Sequence, residues 1–339
     1  MERERQAPEA PPEAPPRPNA PEEAASPTTP NQPRWRRLLP WVLGALLLGF
    51  VLSKTDLGAV AASLRAVNLP AYLALVVAFG LLNLACDAFA ASEVFRRSVA
   101  RVRFRTIAVV RAASYLPQLL NFHVGQAYTA YLLTRVYGAP LGRVVGAMLL
   151  VYATTFGALA AVPALTLPAA SKALPWLTRP VAALTLLGVV YLVVLALKPR
   201  FLCRRPALAA LFEVGPWGHL YLLLCRLPHV ATLCAGTWLS FYFFHITIPP
   251  FESLLYVPAI LFVTIMPLTP QGVGTRELLA FKLLLPFAPA AADPKALIVA
   301  SGLAWATSTA LMAALISVFF APAAARLFRA GAAGAADRP

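Results

Sequence analysis

The stretch with the clearest chemical potential is a broken apolar run between Ile265 and Leu285. It contains two prolines, two glycines and an adjacent ion pair: Pro267, Pro270, Gly272, Gly274, Arg276 and Glu277. Proline and glycine free backbone groups that lipid cannot satisfy, so a membrane tolerates such a break only where protein or a water-filled cavity covers it. Charged residues at membrane depth indicate a functional site, whereas a short loop outside the membrane with a solvated ion pair is the alternative. We interpret the stretch as a functional site.

The residue types of this stretch suit the binding of an anion. Backbone amides at the start of a half-helix carry partial positive charge, and glycine allows a phosphate to approach them closely. Arg276 can pair bidentately with a phosphate. Glu277 can hold Arg276 in place, contact a cationic headgroup, or cap the start of the helix, and all three roles stay open. The predicted substrate-binding residues here are Pro270, Gly272, Gly274, Thr275, Arg276 and Glu277.

A second polar segment lies between Thr106 and Tyr137. Both of its ends are rich in arginine, so both should face the cytoplasm, and the simplest solution is a re-entrant hairpin with arms Thr106–Leu120 and Val124–Tyr137. Its predicted substrate-binding residues are Arg111, Asn121, His123, Gly125 and Gln126. We expect His123 to be a buried, hydrogen-bonded histidine rather than a ligand, because no second His, Cys or Asp stands at metal spacing. We therefore expect no metal.

Composition places the chain among multi-span membrane proteins. Hydrophobic residues make up 59% and charged residues 13% of the 339 residues, and the mean hydropathy is +0.70, far from soluble proteins, in which about a quarter of the residues are charged. The net charge of +15 comes from basic clusters between apolar runs, which follow the positive-inside pattern. This excludes nucleic acid as a partner. The four cysteines contain no CxxC pair and indicate no disulfide framework.

The order of apolar runs and charges predicts an all-α fold with about six full spans and two opposed re-entrant hairpins. Residues 1–33 are rich in Pro, Ala and Glu and are expected to be a disordered cytoplasmic tail, residues 34–330 form the membrane domain, and residues 331–339 form a flexible C-terminus. The six spans are Leu38–Ser53, Pro70–Ser92, Gly146–Leu167, Val181–Leu197, Leu227–Ile248 and Ala296–Phe320. The second hairpin lies within Glu252–Phe287, and both termini face the cytoplasm.

Two smaller expectations concern the inner edges of these spans. Asp87 lies near the cytoplasmic end of its span, and we expect an interfacial carboxylate beside Arg96 or Arg111. Trp217–Arg226 is expected to be an interfacial or tilted lead-in to the span that follows, with its aromatic residues at the membrane surface.

The two hairpins resemble each other in sequence. Leu116-Pro117 followed by Gly125 parallels Met266-Pro267 followed by Gly274, and the spacing agrees to within one residue. Because the charges place the halves in opposite orientations, we interpret this as an inverted-topology repeat, in which substrate sites lie between broken helices. Chance resemblance between two leucine-rich segments is the alternative.

These motifs resemble the lysylphosphatidylglycerol synthase transmembrane region, or flippase-like domain, family over about Trp35 to Phe328. Pro270-Gln271-Gly272-Val273-Gly274-Thr275-Arg276-Glu277 is similar to its Pro-x-Gly-Gly-x-Gly-x-x-Glu motif, with Gln271 where small residues are usual. Gly125-Gln126 is similar to a Gly-Asp step of the family, with Gln126 in place of the acid. The usual arginine is missing from Thr129–Ala130.

The resemblance implies translocation of a lipid, or a lipid-linked step of envelope biogenesis, in a bacterial inner membrane. The expected partner is a lipid with an anionic headgroup, either a phospholipid or a polyprenyl-phosphate lipid, and an envelope-biosynthesis enzyme is a candidate second partner. Full synthases carry an additional aminoacyl-transferase domain, and since this chain ends soon after its last span we expect no lipid aminoacylation.

We expect neither a cofactor nor enzymatic activity. No nucleotide-binding motif is present, and a lipid-modifying enzyme is disfavoured because no paired carboxylates or Ser/His set appears. A proton-coupled secondary transporter of a small anion, using Glu277 or His123, is the alternative function.

Overall fold

A computed structural model describes residues 49, 53, 56–120, 122–170, 175–265, 274–289 and 293–336. Over these ranges the regular structure is helical throughout, without a β-strand. The tail 1–33 lies outside the described residues, and so does the predicted first span Leu38–Ser53 apart from two positions.

Eleven α-helices follow one another along the described ranges: α1 Leu57–Ala66, α2 Leu69–Ser98, α3 Phe104–Leu120, α4 Phe122–Tyr137, α5 Leu141–Ala170, α6 Pro175–Leu197, α7 Arg200–Cys203, α8 Pro206–Tyr242, α9 Pro250–Ile265, α10 Thr275–Leu284 and α11 Pro294–Ala336. A 3₁₀ turn, Leu285–Phe287, follows α10. Helix α11 continues into the residues for which the sequence predicts a flexible C-terminus.

Five of these helices, α2, α5, α6, α8 and α11, are long and apolar enough to cross a membrane. Each coincides with or overlaps one of the predicted spans that the structure describes. The protein is therefore an all-helical, multi-pass membrane protein. The total number of spans stays a prediction.

Helix α8 differs from the prediction at both ends. Trp217–Arg226 is a continuous part of α8 rather than a separate lead-in, and the kink lies before it at Gly215, whose φ of +67° is available to glycine at little cost. The helix ends at Tyr242, earlier than the predicted Ile248. The chain then turns, and the Trp238 indole N–H donates to the Ile248 carbonyl at 2.9 Å, which holds the turn against the helix.

Two helices begin with side-chain caps typical of polar loops. Asp56 accepts a hydrogen bond from the Gly58 amide at 2.8 Å at the start of α1. Asn68 accepts from the Ala71 amide at 3.2 Å at the start of α2. Such caps satisfy amides that have no partner within the helix and stabilise a helix by about 1 kcal/mol.

Two helix pairs flank the two predicted breaks. Helices α3 and α4 are separated at Asn121, and α9 and α10 are separated by residues 266–273; both breaks lie outside the described residues. At Gly125, a Cβ would lie 2.5 Å from the Gln118 Cβ and 2.8 Å from its Cα. This contact holds the start of α4 against the end of α3, so the two helices run side by side. The re-entry of either pair into a membrane stays a prediction.

The two pairs are packed reciprocally. Helix α3 of the first pair packs against α11, which follows the second pair, while α9 of the second pair packs against α5, which follows the first. Helices α2 and α8, which precede the two pairs, pack against each other. These neighbours are those expected if α2–α5 and α8–α11 were two copies of one unit related by a two-fold axis.

Candidate functional site

Two clusters of buried, hydrogen-bonded ionisable side chains occur among the described residues, one at each helix pair. The first site consists of Asp87, Arg111, Gln126, Arg226 and His229. The second site consists of Arg276, Glu277 and the backbone of Gly302, with the small cavity beside them. The first site takes residues from both halves of the bundle, because Arg226 and His229 belong to α8.

The second site is built on the first turn of α10. Gly274 precedes this helix with a φ of +82°, a conformation that favours glycine. Its amide donates a hydrogen bond to Glu277 Oε2 at 2.7 Å. Glu277 thus caps its own helix, as glutamate at the third helical position commonly does.

The other oxygen of Glu277 holds Arg276. Arg276 Nε donates to Glu277 Oε1 at 3.0 Å, and Nη2 donates both to the same oxygen and to the Gly302 carbonyl of α11 at 2.8 Å. The arginine side chain is 14% exposed and the glutamate 3%. This neutral pair therefore joins α10 to α11 inside the bundle.

A cavity of about 20 Å³ adjoins this ion pair. The ion pair borders this cavity together with Thr237 and Ser240 of α8 and Ser301 and Trp305 of α11. A volume of this size holds about one water molecule. A lipid headgroup could enter only if the surrounding helices moved apart.

The first site is centred on Asp87, which is 2% exposed. Arg111 donates to Asp87 Oδ2 from Nε and from Nη2, each at 2.6 Å. Arg226 donates to Asp87 Oδ1 from Nη1 at 2.8 Å. The expectation that Asp87 is interfacial is wrong, because the carboxylate is buried between two arginines. Of the two partners expected for it, it pairs with Arg111.

Gln126 joins the two helices of the first pair through this cluster. Its Oε1, on α4, accepts a hydrogen bond at 3.0 Å from Arg111 Nη1 on α3. A glutamine keeps the acceptor of the acid that the family pattern has here, but it brings no charge. Two arginines and one aspartate therefore leave the first site with a formal net charge of +1.

Sequence reasoning missed Arg226 and His229. Arg226 Nη1 lies 3.3 Å from His229 Nδ1, one helical turn further along α8, and the arginine side chain is only 1% exposed. An arginine in the middle of a 37-residue apolar helix is the signal that could have found the site. The interpretation of Trp217–Arg226 as a lead-in places Arg226 at its end and so hides this signal.

The remaining predicted residues lie outside these clusters. His123 is exposed, contrary to the expectation of a buried residue, and its Nδ1 lies 3.1 Å from the Tyr152 hydroxyl. Gly125 serves the contact between α3 and α4, and Thr275 is the first residue of α10. Asn121, Pro270 and Gly272 lie outside the described residues. No group of three or more potential metal ligands occurs in the described ranges.

The fold and the two sites define a multi-pass membrane protein with ion pairs inside its helix bundle. The family described as the lysylphosphatidylglycerol synthase TM region matches residues 37–316. The chain belongs to this family, and the resemblance seen in its motifs is confirmed. A search of the curated proteins found no match. The matched range contains both sites, and the family indicates a membrane protein of lipid or envelope biology.

Proposed function

We propose that the protein binds a lipid with an anionic headgroup and translocates it across a bacterial inner membrane. The observation that carries this proposal is the position of Arg276 on the wall of a cavity between α8, α9, α10 and α11. An arginine inside a membrane bundle carries a large desolvation cost, and a role in binding a charged substrate accounts for that cost.

The present partner of Arg276 occupies the place that a phosphate would take. Nε and Nη2 are the two donors on one edge of the guanidinium, and both are directed to Glu277 Oε1. A phosphate on this edge would form two parallel hydrogen bonds and displace that oxygen. Glu277 would keep its bond to the Gly274 amide, so the pair could form again after release. We interpret the observed pair as the resting, closed state.

The start of α10 supplies the rest of the binding surface. Amides in the first turn of a helix carry partial positive charge and attract anions. The Gly274 amide is held by Glu277 at present, and the motif residues Pro270 and Gly272 precede it. The acyl chains would remain in the bilayer while the headgroup passes these groups.

The reciprocal packing of the two helix pairs supports an inverted repeat. Pro267 and Pro117 stand 150 positions apart, and so do Arg276 and Gln126. The same offset thus relates a polar residue of one site to a polar residue of the other. In transporters built this way, the two halves move against each other around a central site. We propose that α2–α5 and α8–α11 move in this manner, with both termini on the cytoplasmic side.

We further propose that translocation involves no covalent change of the lipid. The substrate would be a phospholipid or a polyprenyl-phosphate lipid, delivered to or taken from an enzyme of envelope biosynthesis. Energy would come from a gradient or from that partner, since the sequence contains no nucleotide-binding motif.

Reconstituted liposomes test this function directly. A fluorescent phospholipid and a lipid-linked sugar analogue are followed from one leaflet to the other, for the wild type, Arg276→Gln and Arg200→Gln. Arg200 is exposed and does not line the cavity, so its variant removes the same charge outside the site. Hydrogen bonds to a charged group contribute about 1.5–3 kcal/mol, so we expect Arg276→Gln to slow transport roughly tenfold or more. Wild-type rates in folded Arg276→Gln would refute the assignment.

The alternative is a proton-coupled transporter of a small anion, and the small size of the cavity favours it. Glu277 borders that cavity and would carry the proton. In liposomes loaded with a pH-sensitive dye, this function requires proton movement driven by an anion gradient. That movement would be lost in Glu277→Gln, and it would be absent altogether if the protein moves lipids without protons.

A further inference from the structure

We propose that the first site binds a singly charged oxyanion, and that Arg226 is the residue that holds it. Nothing in the motifs of this chain pointed to Arg226. The proposal concerns a site that is separate from Arg276, and it holds whether or not a lipid crosses the membrane.

The carrying observation is an unused edge of the Arg226 guanidinium. Nη1 is bound to Asp87 Oδ1 at 2.8 Å, while Nε and Nη2 are buried and have no hydrogen-bond acceptor among the described residues. The N–H groups of Nε and Nη2 lie side by side and point in parallel. This is the edge with which arginine binds two oxygens of a phosphate or carboxylate.

The surrounding acceptors are already engaged. Asp87 uses Oδ2 for Arg111 and Oδ1 for Arg226, and Gln126 uses its carbonyl oxygen for Arg111. His229 Nδ1 faces Nη1, the nitrogen that already binds Asp87. Leaving buried donors unsatisfied costs free energy, and more so when they belong to a charged group. The cluster as it stands does not satisfy Arg226.

The charge of the site selects the class of ligand. His229 faces an arginine N–H, so its Nδ1 acts as an acceptor and the ring counts as neutral. Asp87 offsets one of the two arginines, so one positive charge remains buried in the bundle. A monoanion with two oxygens at the free edge would neutralise this charge and satisfy both donors. Water could satisfy the donors, but it would leave the charge unbalanced.

Two sources can supply such a group: the phosphodiester of a lipid headgroup, or free phosphate. Asp87 lies 11 residues before the end of α2, which at 1.5 Å per residue is about 16 Å along the helix. Lipid phosphates lie at the edge of a hydrocarbon core about 30 Å thick. Either source therefore has to enter the bundle, and with Arg226 at 1% exposure helices α2 and α8 would have to part to admit a headgroup.

Thermal unfolding of the purified full chain separates the two sources. One arm compares sodium phosphate with sodium chloride at equal ionic strength in detergent, with bound lipid removed. The other compares nanodiscs of phosphatidylcholine with and without phosphatidylglycerol. A rise in Tm with phosphate in detergent identifies the free anion, and a rise only with phosphatidylglycerol identifies the headgroup. No rise in either arm for the wild type would overturn the proposal in favour of water.

Two variants that change the net charge of the first site in opposite directions test the roles of Arg226 and Asp87. Arg226→Gln removes the free edge of the guanidinium. We expect the apparent affinity for the anion, measured from the rise in Tm, to fall roughly tenfold or more. Asp87→Asn keeps that edge and raises the formal charge to +2, so we expect tighter binding. A purely structural cluster predicts that both variants lower stability equally and leave the response to the anion unchanged, and that result would contradict the proposal.

A third variant keeps the test decisive if Arg226→Gln does not fold. Arg226→Lys retains the positive charge beside Asp87 but lacks parallel donors, so it should fold and respond more weakly than the wild type. A full response in Arg226→Lys would overturn the bidentate assignment. Arg200→Gln is the charge-matched control and should respond as the wild type does. Because these measurements involve no transport, their failure is distinguishable from failure of lipid translocation at Arg276.

Discussion

Replacing Glu277 by glutamine tests how strongly the second site holds the bundle together. The carboxylate accepts hydrogen bonds on both oxygens, one from the Gly274 amide and the others from Arg276. A glutamine of the same shape has one acceptor oxygen, so its NH₂ group must face a donor on one side or the other. Either the Gly274 amide or the Arg276 guanidinium therefore loses its acceptor oxygen.

The magnitude follows from these contacts. Losing the cap costs about 1 kcal/mol, and weakening the charged hydrogen bonds to Arg276 costs about 1.5–3 kcal/mol. Arg276 keeps the Gly302 carbonyl and is 14% exposed, which places the loss below the roughly 3–5 kcal/mol of a fully broken buried pair. Since the NH₂ group can face only one side at a time, only one of these losses is complete, and we expect Glu277→Gln to lower the free energy of unfolding by about 1–3 kcal/mol.

The assay is reversible unfolding in mixed micelles, followed by tryptophan fluorescence. The matched control is Glu213→Gln, which removes the same charge from an exposed pair with Arg143 whose side chains are 53% and 49% exposed. Such surface pairs contribute about 0–1 kcal/mol. Combining Glu277→Gln with Arg276→Gln should cost less than the sum of the single changes, because neither partner then leaves a charge unpaired. A change below about 0.5 kcal/mol for Glu277→Gln, the level typical of surface sites, would refute the reasoning.

Four further outcomes are expected. Gly125→Ala should lower stability by about 1–3 kcal/mol in the same unfolding assay, because its Cβ would lie 2.8 Å from the Gln118 backbone and force α3 and α4 apart; an unchanged stability would contradict this. Gly302→Val should slow lipid transport while Gly302→Ala has a smaller effect, because even a Cβ would lie 3.3 Å from both Arg276 Nη2 and Glu277 Oε1. Gln126→Glu should abolish whichever rise in Tm the wild type shows, with phosphate or with phosphatidylglycerol, because a second carboxylate makes the first site neutral; a persisting rise would exclude net charge as the cause. A cysteine at Arg101 should react with an impermeant thiol reagent only from the cytoplasmic side, and labelling from outside would refute the predicted topology.

The elements of the fold were largely predictable because their signals are local. An apolar run of about 20 residues is sufficient to predict a membrane helix wherever it packs, and α2, α5, α6 and α11 coincide with such runs. The predicted start of the span at Leu227 is wrong because α8 continues through Arg226, a residue type that is common at the membrane interface. The hydropathy of the segment around Arg226 carries no information about Asp87, its partner 139 positions away.

The candidate sites were likewise predictable only where their contacts join residues close in sequence. The contacts of Gly274, Arg276 and Glu277 with one another join residues at most three positions apart, so a helix that begins at Thr275 is sufficient to bring them together. The partners contributed by other helices, such as Gly302, could not be found in this way. Neither could the burial of Asp87, which depends on arginines from α3 and α8.

The sequence by itself determined that this is an all-helical membrane protein, and that an arginine–glutamate pair follows a break rich in proline and glycine. These properties depend on hydrophobicity, on proline and glycine, and on charge within a few residues, so they are read from short windows of chain. Only the tertiary structure decided which charges meet. Whether Asp87 pairs with one arginine or two, and whether Arg226 keeps a free edge, depends on packing between helices distant in sequence, because Coulomb attraction and desolvation are set by distance and burial in three dimensions.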